Sequence, residues 1–209
     1  MVKNGFHVKP ESIWNMDETV LQLDVKPRKL VARKDTKNLH SRTSGNRELI
    51  TVIACVNAQG KFIPPQVIVK GKTSRSLWGL NTELAPPGTN WSWSGSGETK
   101  QGLAKLWFTK TFLENIGPQH PHNFIELINI AIQNQLHIVE MPSHTSNWLQ
   151  SCDRTLFKPL KDYYCSTVQD LMGQFPGIIT CFSNFARIFA SAWQKAMASN
   201  NITSGFKSC

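Results

Sequence analysis

The chain has 209 residues, of which 40% are hydrophobic, a length and apolar fraction that fit one folded domain and exclude a wholly disordered chain. It carries 23 Lys and Arg against 14 Asp and Glu, and this net charge of +9 favours an acidic partner such as nucleic acid. Because no run of about 20 apolar residues occurs, no membrane span is predicted.

The first predicted element is a short strand within residues 11–25 that ends at the acidic pair Asp17 and Glu18. A basic stretch, residues 26–48, follows with eight basic and two acidic side chains. Its basic residues are Lys26, Arg28, Lys29, Arg33, Lys34, Lys37, Arg42 and Arg47. Such a stretch is either a solvated loop or a surface that contacts nucleic-acid phosphates, and charge alone leaves both open. Few aromatic residues interleave with it, which disfavours a single-strand stacking platform there.

Two β-branched runs come next and together predict an antiparallel hairpin. Residues 49–57 are predicted as a buried strand, and residues 62–70 as a second strand whose Pro64-Pro65 marks an edge or bulge at its start. Residues 71–100 are rich in Gly, Ser, Pro and Trp and are predicted to be a long irregular connection. The tryptophans that could anchor this connection against the core are Trp78, Trp91 and Trp93.

Periodic apolar residues then predict helices over residues 102–115 and 123–135, and a short strand is predicted over residues 137–142. The helix over residues 102–115 is expected to stop at Gly117-Pro118.

Two more helices are predicted near the end of the chain. Ser151 or Asp153 is a candidate N-cap for a helix over residues 156–172, which Pro159 would kink or delay. A last amphipathic helix is predicted over about residues 184–198. Three antiparallel strands followed by an alternating part predict an α/β fold, with helices on the faces of a mixed sheet.

The five cysteines indicate a reducing compartment, the cytosol or the nucleus. Their number is odd, their spacings are wide and no CxxC occurs, so neither a disulfide framework nor a zinc site is expected. The first 30 residues lack the apolar core of a signal peptide, so secretion is not expected. No GxxxxGK[ST], GxGxxG, GxSxG or HExxH occurs, so these motifs give no support to nucleotide binding, a hydrolase elbow or a zincin.

Two aspartates are candidates for chemistry, and each also has an ordinary structural explanation. Asp17 at a strand end is a candidate ligand for Mg²⁺ or Mn²⁺, or a residue of a strand-end turn. Asp153, 136 residues later, lies near a helix start, where an N-cap is the ordinary role. The polar segment PSHTSNWLQ at 142–150 is a candidate rigid loop that presents Asp153.

Three segments in this order carry a more specific pattern. They are IWNMDET at 13–19, ITVIACVNAQGKFIPPQVIVKGK at 50–72 and HIVEMPSHTSNWLQSCDRTLFKPLKDYY at 137–164. Together they resemble the DDE superfamily endonuclease domain, and more narrowly the pogo/Tigger transposases of the Tc1/mariner group and domesticated relatives such as jerky and centromere protein B. The resemblance implies an RNase H-like fold and three carboxylates that hold two Mg²⁺ or Mn²⁺ ions for attack on DNA phosphodiesters.

By this resemblance Asp17 matches the first catalytic, metal-binding acid and Asp153 the third, whereas the second acid is absent. In the family it ends a strand between the helices predicted over 102–115 and 123–135, where this sequence has GPQHPHNF at 117–124. An internal deletion of one central strand and its Asp is the simplest account, and two carboxylates alone are expected to bind a divalent ion weakly. The nearby acids are not assigned to the site; they are Glu114, Glu126 and Glu140.

The predicted arrangement is one incomplete DDE-type domain over residues 1–209, without an N-terminal helix-turn-helix domain. The favoured function is DNA binding by a transposase-derived nuclear protein with impaired catalysis. The alternatives are an active Mg²⁺-dependent DNA endonuclease or transposase, a domesticated protein-interaction module and an unstable remnant. The sequence leaves the oligomeric state open, including a homo-oligomer.

Overall fold

The computed structural model describes residues 9–25, 45, 47–116, 131–134, 136, 138–139, 141–142, 145–175 and 178–209. Within them the fold is α/β, a mixed sheet with helices on both faces, as expected for an RNase H-like domain. The strands are β1 (Trp14–Gln22), β2 (Leu49–Asn57), β3 (Gln66–Lys70) and β4 (Asn90–Ser94), in that spatial order. The pairs β1–β2 and β2–β3 are antiparallel, whereas β3 and β4 are parallel.

Strand β1 is longer than predicted, and Asp17 lies in its middle rather than at its end. All nine residues pair with β2, from Trp14 opposite Asn57 to Gln22 opposite Leu49. The prediction that the strand ends at Asp17 and Glu18 is therefore wrong, because β2 offers a partner along the whole length and β-branched residues continue after the acids. The predicted hairpin of β2 and β3 is confirmed, with a turn in which Gly60 has φ +95°.

Strand β4 lies inside the stretch predicted to be irregular. Its alternating Trp and Ser place Ser92 and Ser94 in buried positions, and the register pairs Trp91 with Val67 of β3. Trp91 anchors the strand to the core through an edge-to-face contact with Phe185, with ring centroids 6.5 Å apart. Trp78, in contrast, is 74% exposed, and its ring lies beneath the Arg75 guanidinium, whose central carbon is 5.6 Å from the ring centroid, rather than in either apolar cluster. Turn-forming residues lie on both sides of β4, so the whole stretch has the composition of a loop. The short alternation of Trp and Ser was therefore not predicted to be a strand.

The predicted helix over residues 102–115 is confirmed as three consecutive helical segments. These are α1 (Gln101–Trp107), a π-helical segment (Phe108–Phe112) and α2 (Leu113–Ile116). Of the helix predicted over 123–135, residues 131–133 are helical, and 123–130 and 135 lie outside the described residues. The described residues of the predicted strand over 137–142 are not in a strand, since Ile138 and Val139 face solvent rather than a core.

The remaining helices follow closely on one another. They are α3 (Ser146–Leu149), α4 (Ser151–Thr155), α5 (Phe157–Gln174), α6 (Phe182–Ala196) and α7 (Ser199–Ser208). Neither Ser151 nor Asp153 is an N-cap, because both lie inside α4, where Gln150 is the preceding residue. Pro159, which has no N–H to donate to the Thr155 carbonyl, lies in the first turn of α5, and this helix starts at Phe157, one residue after the predicted start. The Ser- and Asn-rich α7 was not predicted.

Two apolar clusters lie on opposite faces of the sheet. The first packs α5, α6 and α7 against β2 and β3, with Val52, Leu160 and Phe189 buried in it. The second packs the helical segments of residues 101–116 against the other face, where Ile53 and Trp107 are buried. The residues predicted to have lost a central strand, 117–123, lie outside the described part of the chain.

Candidate active site

A buried asparagine fixes the start of α4 to β1. Asn15 is only 8% exposed, and its Oδ1 accepts hydrogen bonds from the Ser151 hydroxyl at 2.9 Å and from the Cys152 N–H at 3.1 Å. Both partners are buried as well. These two donors satisfy the buried carbonyl oxygen of Asn15. Since they belong to a segment 136 residues further along the chain, Asn15 holds the two segments together.

Helix α7 holds α4 from its other side. The Thr155 hydroxyl donates to the Asn201 carbonyl at 2.7 Å. At Gly205 a Cβ atom would lie 2.9 Å from the Ser151 carbonyl oxygen, so only glycine lets the two helices approach this closely. Helix α4 is therefore fixed between β1 and α7, which positions its first turn.

In this docked arrangement the negative charge of Asp153 acts on Asp17. Asp17 follows Asn15 by two residues and so lies on the same face of β1, whereas Asp153 lies in α4 two residues after the buried Ser151, on a different side of the helix. Gln150 links the two elements, since its Nε2 donates to the Met16 carbonyl at 3.3 Å and its side chain also hydrogen-bonds to Asp17. Asp153 is exposed, whereas Asp17 is more than half buried.

The environment of Asp17 favours its protonated form. Burial, with smaller contributions from the negative charges of Asp153 and Glu18, raises its pKa to about 6, although hydrogen bonds from the Glu18 N–H, 2.8 Å from Oδ1, and from Gln150 act in the opposite direction. Burial also raises the pKa of the Cys152 thiol, again with a contribution from Asp17. A half-buried carboxylate whose pKa is raised in part by a nearby negative charge is a group that a divalent cation would stabilise in its ionised form.

Two carboxylates are a donor set for one divalent ion rather than for a two-ion site. Mg²⁺ is commonly held by one or two carboxylates together with substrate phosphates. In the part of the chain that the structure describes, no group of three or more His, Cys, Asp or Glu side chains could hold a metal ion. Glu114 is exposed on α2, and Glu126 and Glu140 lie outside the described residues.

The basic stretch is largely outside the described residues. Of its eight basic residues only Arg47 is described, and it is exposed just before β2. The other seven, Lys26, Arg28, Lys29, Arg33, Lys34, Lys37 and Arg42, stay a prediction.

Sequence reasoning missed the residues that support the two aspartates. Asn15 lies inside a strand, where asparagine is disfavoured unless its side chain has buried partners, and this was the available signal. Gln150 carried no such signal, because its hydrogen bond to Asp17 depends on how α4 docks.

We expect Asp17→Asn to raise the free energy of unfolding at about pH 7.5 by about 1–2 kcal/mol, allowing for water at this half-buried carboxyl. Folding raises the pKa of Asp17 to about 6, so the unfolded chain releases the proton at a lower pH than the folded chain does. The native protein therefore loses stability as the pH rises from about 4 to about 6, and the advantage of the variant is present above this window and absent below it.

Urea unfolding in metal-free buffer across this pH range measures the difference. Glu18→Gln is the matched control and is expected to have a smaller effect, because Glu18 is exposed. An advantage of Asp17→Asn that does not change with pH would contradict the expected origin of the effect.

Comparisons with known proteins add the following findings. A family model described as DDE superfamily endonuclease matches residues 46–206, a range that includes Asp153 but not β1. A protein of Cochliobolus lunatus named MFS-type transporter clz9 is 27% identical over 174 residues, and the match covers 78% of this chain but only 19% of that relative. No solved structure matches. Among the described residues, no helix is both long and apolar enough to cross a bilayer.

Proposed function

Because this chain belongs to the DDE superfamily endonuclease family, we propose that it is a pogo/Tigger-type, transposase-derived domain that binds DNA and whose nuclease site is impaired. One observation carries the proposal: the negative charge of Asp153 acts on Asp17 across the contact between β1 and α4, and among the described residues no group of three or more His, Cys, Asp or Glu side chains could hold a metal ion. A nuclease of this family needs a complete acidic site, whereas DNA binding does not.

The support for a remnant of a nuclease site is geometric. Asn15, Ser151 and Gln150 form contacts whose effect is to hold α4 against the middle of β1. A chain selected only for stability would gain by removing a half-buried carboxylate with a raised pKa, so Asp17 is better explained by a role in binding a cation.

Asp17 and Asp153 would hold the divalent ion, and this ion would supply charge neutralisation at a DNA phosphate. With two carboxylates the site would take up one Mg²⁺ or Mn²⁺ weakly, and phosphate oxygens would complete its coordination. The second ion of a two-ion mechanism would lack a carboxylate of its own, so strand cleavage is expected to be lost.

The support for DNA as the partner is the charge. The net charge is +9, and the eight basic residues of the stretch 26–48 outnumber its two acids. We place the protein in the nucleus, where DNA is available and where thiols such as those of its five cysteines remain reduced.

The proposal is tested with purified full-length chain and a fluorescein-labelled duplex. We expect the logarithm of the affinity to fall linearly with the logarithm of the salt concentration, with a slope of about −0.9 for each phosphate contact. The double variant Arg33→Gln/Lys34→Gln should flatten the slope by about 2, whereas Lys195→Gln/Lys207→Gln on α6 and α7 should leave it unchanged. Binding that is absent or insensitive to salt would overturn the proposal.

The same preparations decide between an impaired and an active nuclease. Supercoiled plasmid incubated with Mg²⁺ or Mn²⁺ should remain intact. Nicking that disappears in both Asp17→Ala and Asp153→Ala would instead establish the active endonuclease. Nicking that persists in both variants would point to a contaminating enzyme rather than to this site.

A further inference from the structure

A groove of about 560 Å³ opens at the β4 edge of the described sheet, between the end of β4 and the start of α1. Its lining includes two lysines, three glycines and one tryptophan: Lys72, Lys100, Gly71, Gly95, Gly102 and Trp93. Strand β4 is three strands from β1, which places the groove about 14 Å from the strand that carries Asp17. It is therefore separate from the carboxylate pair.

The groove is held in shape by hydrogen bonds that need no ligand. The Gly71 N–H donates to the Ser94 carbonyl at 2.8 Å, and the Ser94 hydroxyl donates to the Glu98 carbonyl at 2.8 Å. The buried Thr51 hydroxyl of β2 donates to the Gly97 carbonyl at 2.7 Å. The loop that follows β4 is thus tied to the sheet, and a ligand would meet a preformed surface.

Among the described residues, the lining carries two lysines and no carboxylate. Lys72 and Lys100 are exposed, and the acid on the same loop, Glu98, is exposed but not part of the lining. Nothing lies within 4 Å of the positions that a Cβ would take at Gly95 and Gly102, so the space above this backbone is open. The open backbone at these glycines leaves room for a phosphodiester beside the two lysines of the lining.

One wall of the groove offers an aromatic side chain for stacking. Trp93 is 36% exposed, although its neighbours Ser92 and Ser94 in β4 are each only 7% exposed. An exposed indole beside lysines is the combination with which proteins hold unpaired nucleotides, because every base has a face that stacks. A base inside a duplex does not present this face, so a single strand fits the groove better than a duplex does.

We propose that this groove binds single-stranded DNA, with a phosphodiester between Lys72 and Lys100 and a base stacked on Trp93. The proposal rests on the proposed function in that it takes DNA as the partner, and it adds a site for an unpaired segment away from Asp17 and Asp153. The stacking platform thus lies in residues 71–103 rather than in the basic stretch 26–48.

The test measures binding of fluorescein-labelled oligothymidylate of about ten nucleotides, a length within the range that single-strand sites cover. Trp93→Ala should weaken binding about five- to a hundred-fold, whereas Trp93→Phe should retain most of it through the remaining aromatic ring. Trp78→Ala is the matched control, since Trp78 is 74% exposed and lies outside the groove, and it should bind as the unmodified chain does.

The two lysines are tested by the salt dependence of the same binding. Lys72→Gln and Lys100→Gln should each reduce the salt slope by about 0.7, and Lys195→Gln on α6 should not change it. Circular dichroism and thermal melting of each variant establish that it is folded, and the lysine variants test the groove even where Trp93→Ala does not fold.

The outcomes separate this inference from the proposed function. If duplex binding persists while Trp93→Ala and both lysine variants bind oligothymidylate like the unmodified chain, the groove proposal is wrong and the proposed function stands. Tighter binding of oligouridylate than of oligothymidylate would overturn the assignment to DNA. If neither duplex nor single strand binds, both proposals fail.

Discussion

Phe189→Ala is expected to lower the free energy of unfolding by about 3–5 kcal/mol. Phe189 is fully buried in α6, where its ring stacks on Phe185 with centroids 5.6 Å apart and lies 5.4 Å from the ring of Trp193. These neighbours belong to one helix and are packed between α5 and the sheet, so they cannot collapse into the space that the ring leaves.

Urea unfolding monitored by circular dichroism measures the loss. Phe175→Ala is the matched control: Phe175 follows α5 directly and is 53% exposed, so its removal should cost less than about 1 kcal/mol. Equal losses for the two variants would mean that the first apolar cluster does not carry the stability of the domain.

The first apolar cluster also matters for the carboxylate pair. Cys152 and Leu156, which flank Asp153 in and after α4, are themselves buried members of this cluster. Helix α4 has only five residues and could not persist without such packing. The position of Asp153 relative to Asp17 is therefore a consequence of the core, and a variant that loosens the core should weaken any cation binding as well.

The strands that the sequence predicted well are those buried on both faces. Residues 49–57 are rich in β-branched and other apolar residues because β2 lies in the middle of the described sheet, with a helical layer on each side. Strand β4 was not predicted because it is short and lies among turn-forming residues. Its parallel pairing with β3 joins segments that are distant in the sequence, which no local pattern indicates. Helix α7 was not predicted because it has few apolar residues on its buried side; Ile202 is one of them.

The candidate site was predictable in a different way. Asp17 and Asp153 were predicted because short segments around them resemble those of a known family. A carboxylate in a strand or a helix has no local sequence pattern that would identify its role. The hydrogen bond that docks α4 on β1 joins the Ser151 hydroxyl to Asn15 Oδ1. No sequence pattern indicates that these two residues are partners. Gln150 illustrates this point, because no local pattern distinguishes it from an exposed polar residue.

Asn15→Ala is expected to lower the free energy of unfolding by about 2–4 kcal/mol and to release α4 from β1. One oxygen is lost, yet two buried donors lose their partner: the Ser151 hydroxyl and the Cys152 N–H. A buried donor without an acceptor costs about 1–3 kcal/mol. The cost should therefore exceed that of an ordinary single hydrogen bond.

Ser151→Ala is the matched control, because it removes one donor and leaves Oδ1 of Asn15 bonded to the Cys152 N–H, so it should cost about 1 kcal/mol or less. Urea unfolding measures both variants. A second measurement reports on the site itself: once α4 is released, the charge of Asp153 and the hydrogen bond from Gln150 no longer act on Asp17. The loss of stability between about pH 4 and pH 6 should then become smaller in Asn15→Ala, since burial of Asp17 also decreases. If Asn15→Ala costs no more than Ser151→Ala and leaves this pH dependence unchanged, Asn15 does not hold the two aspartates together.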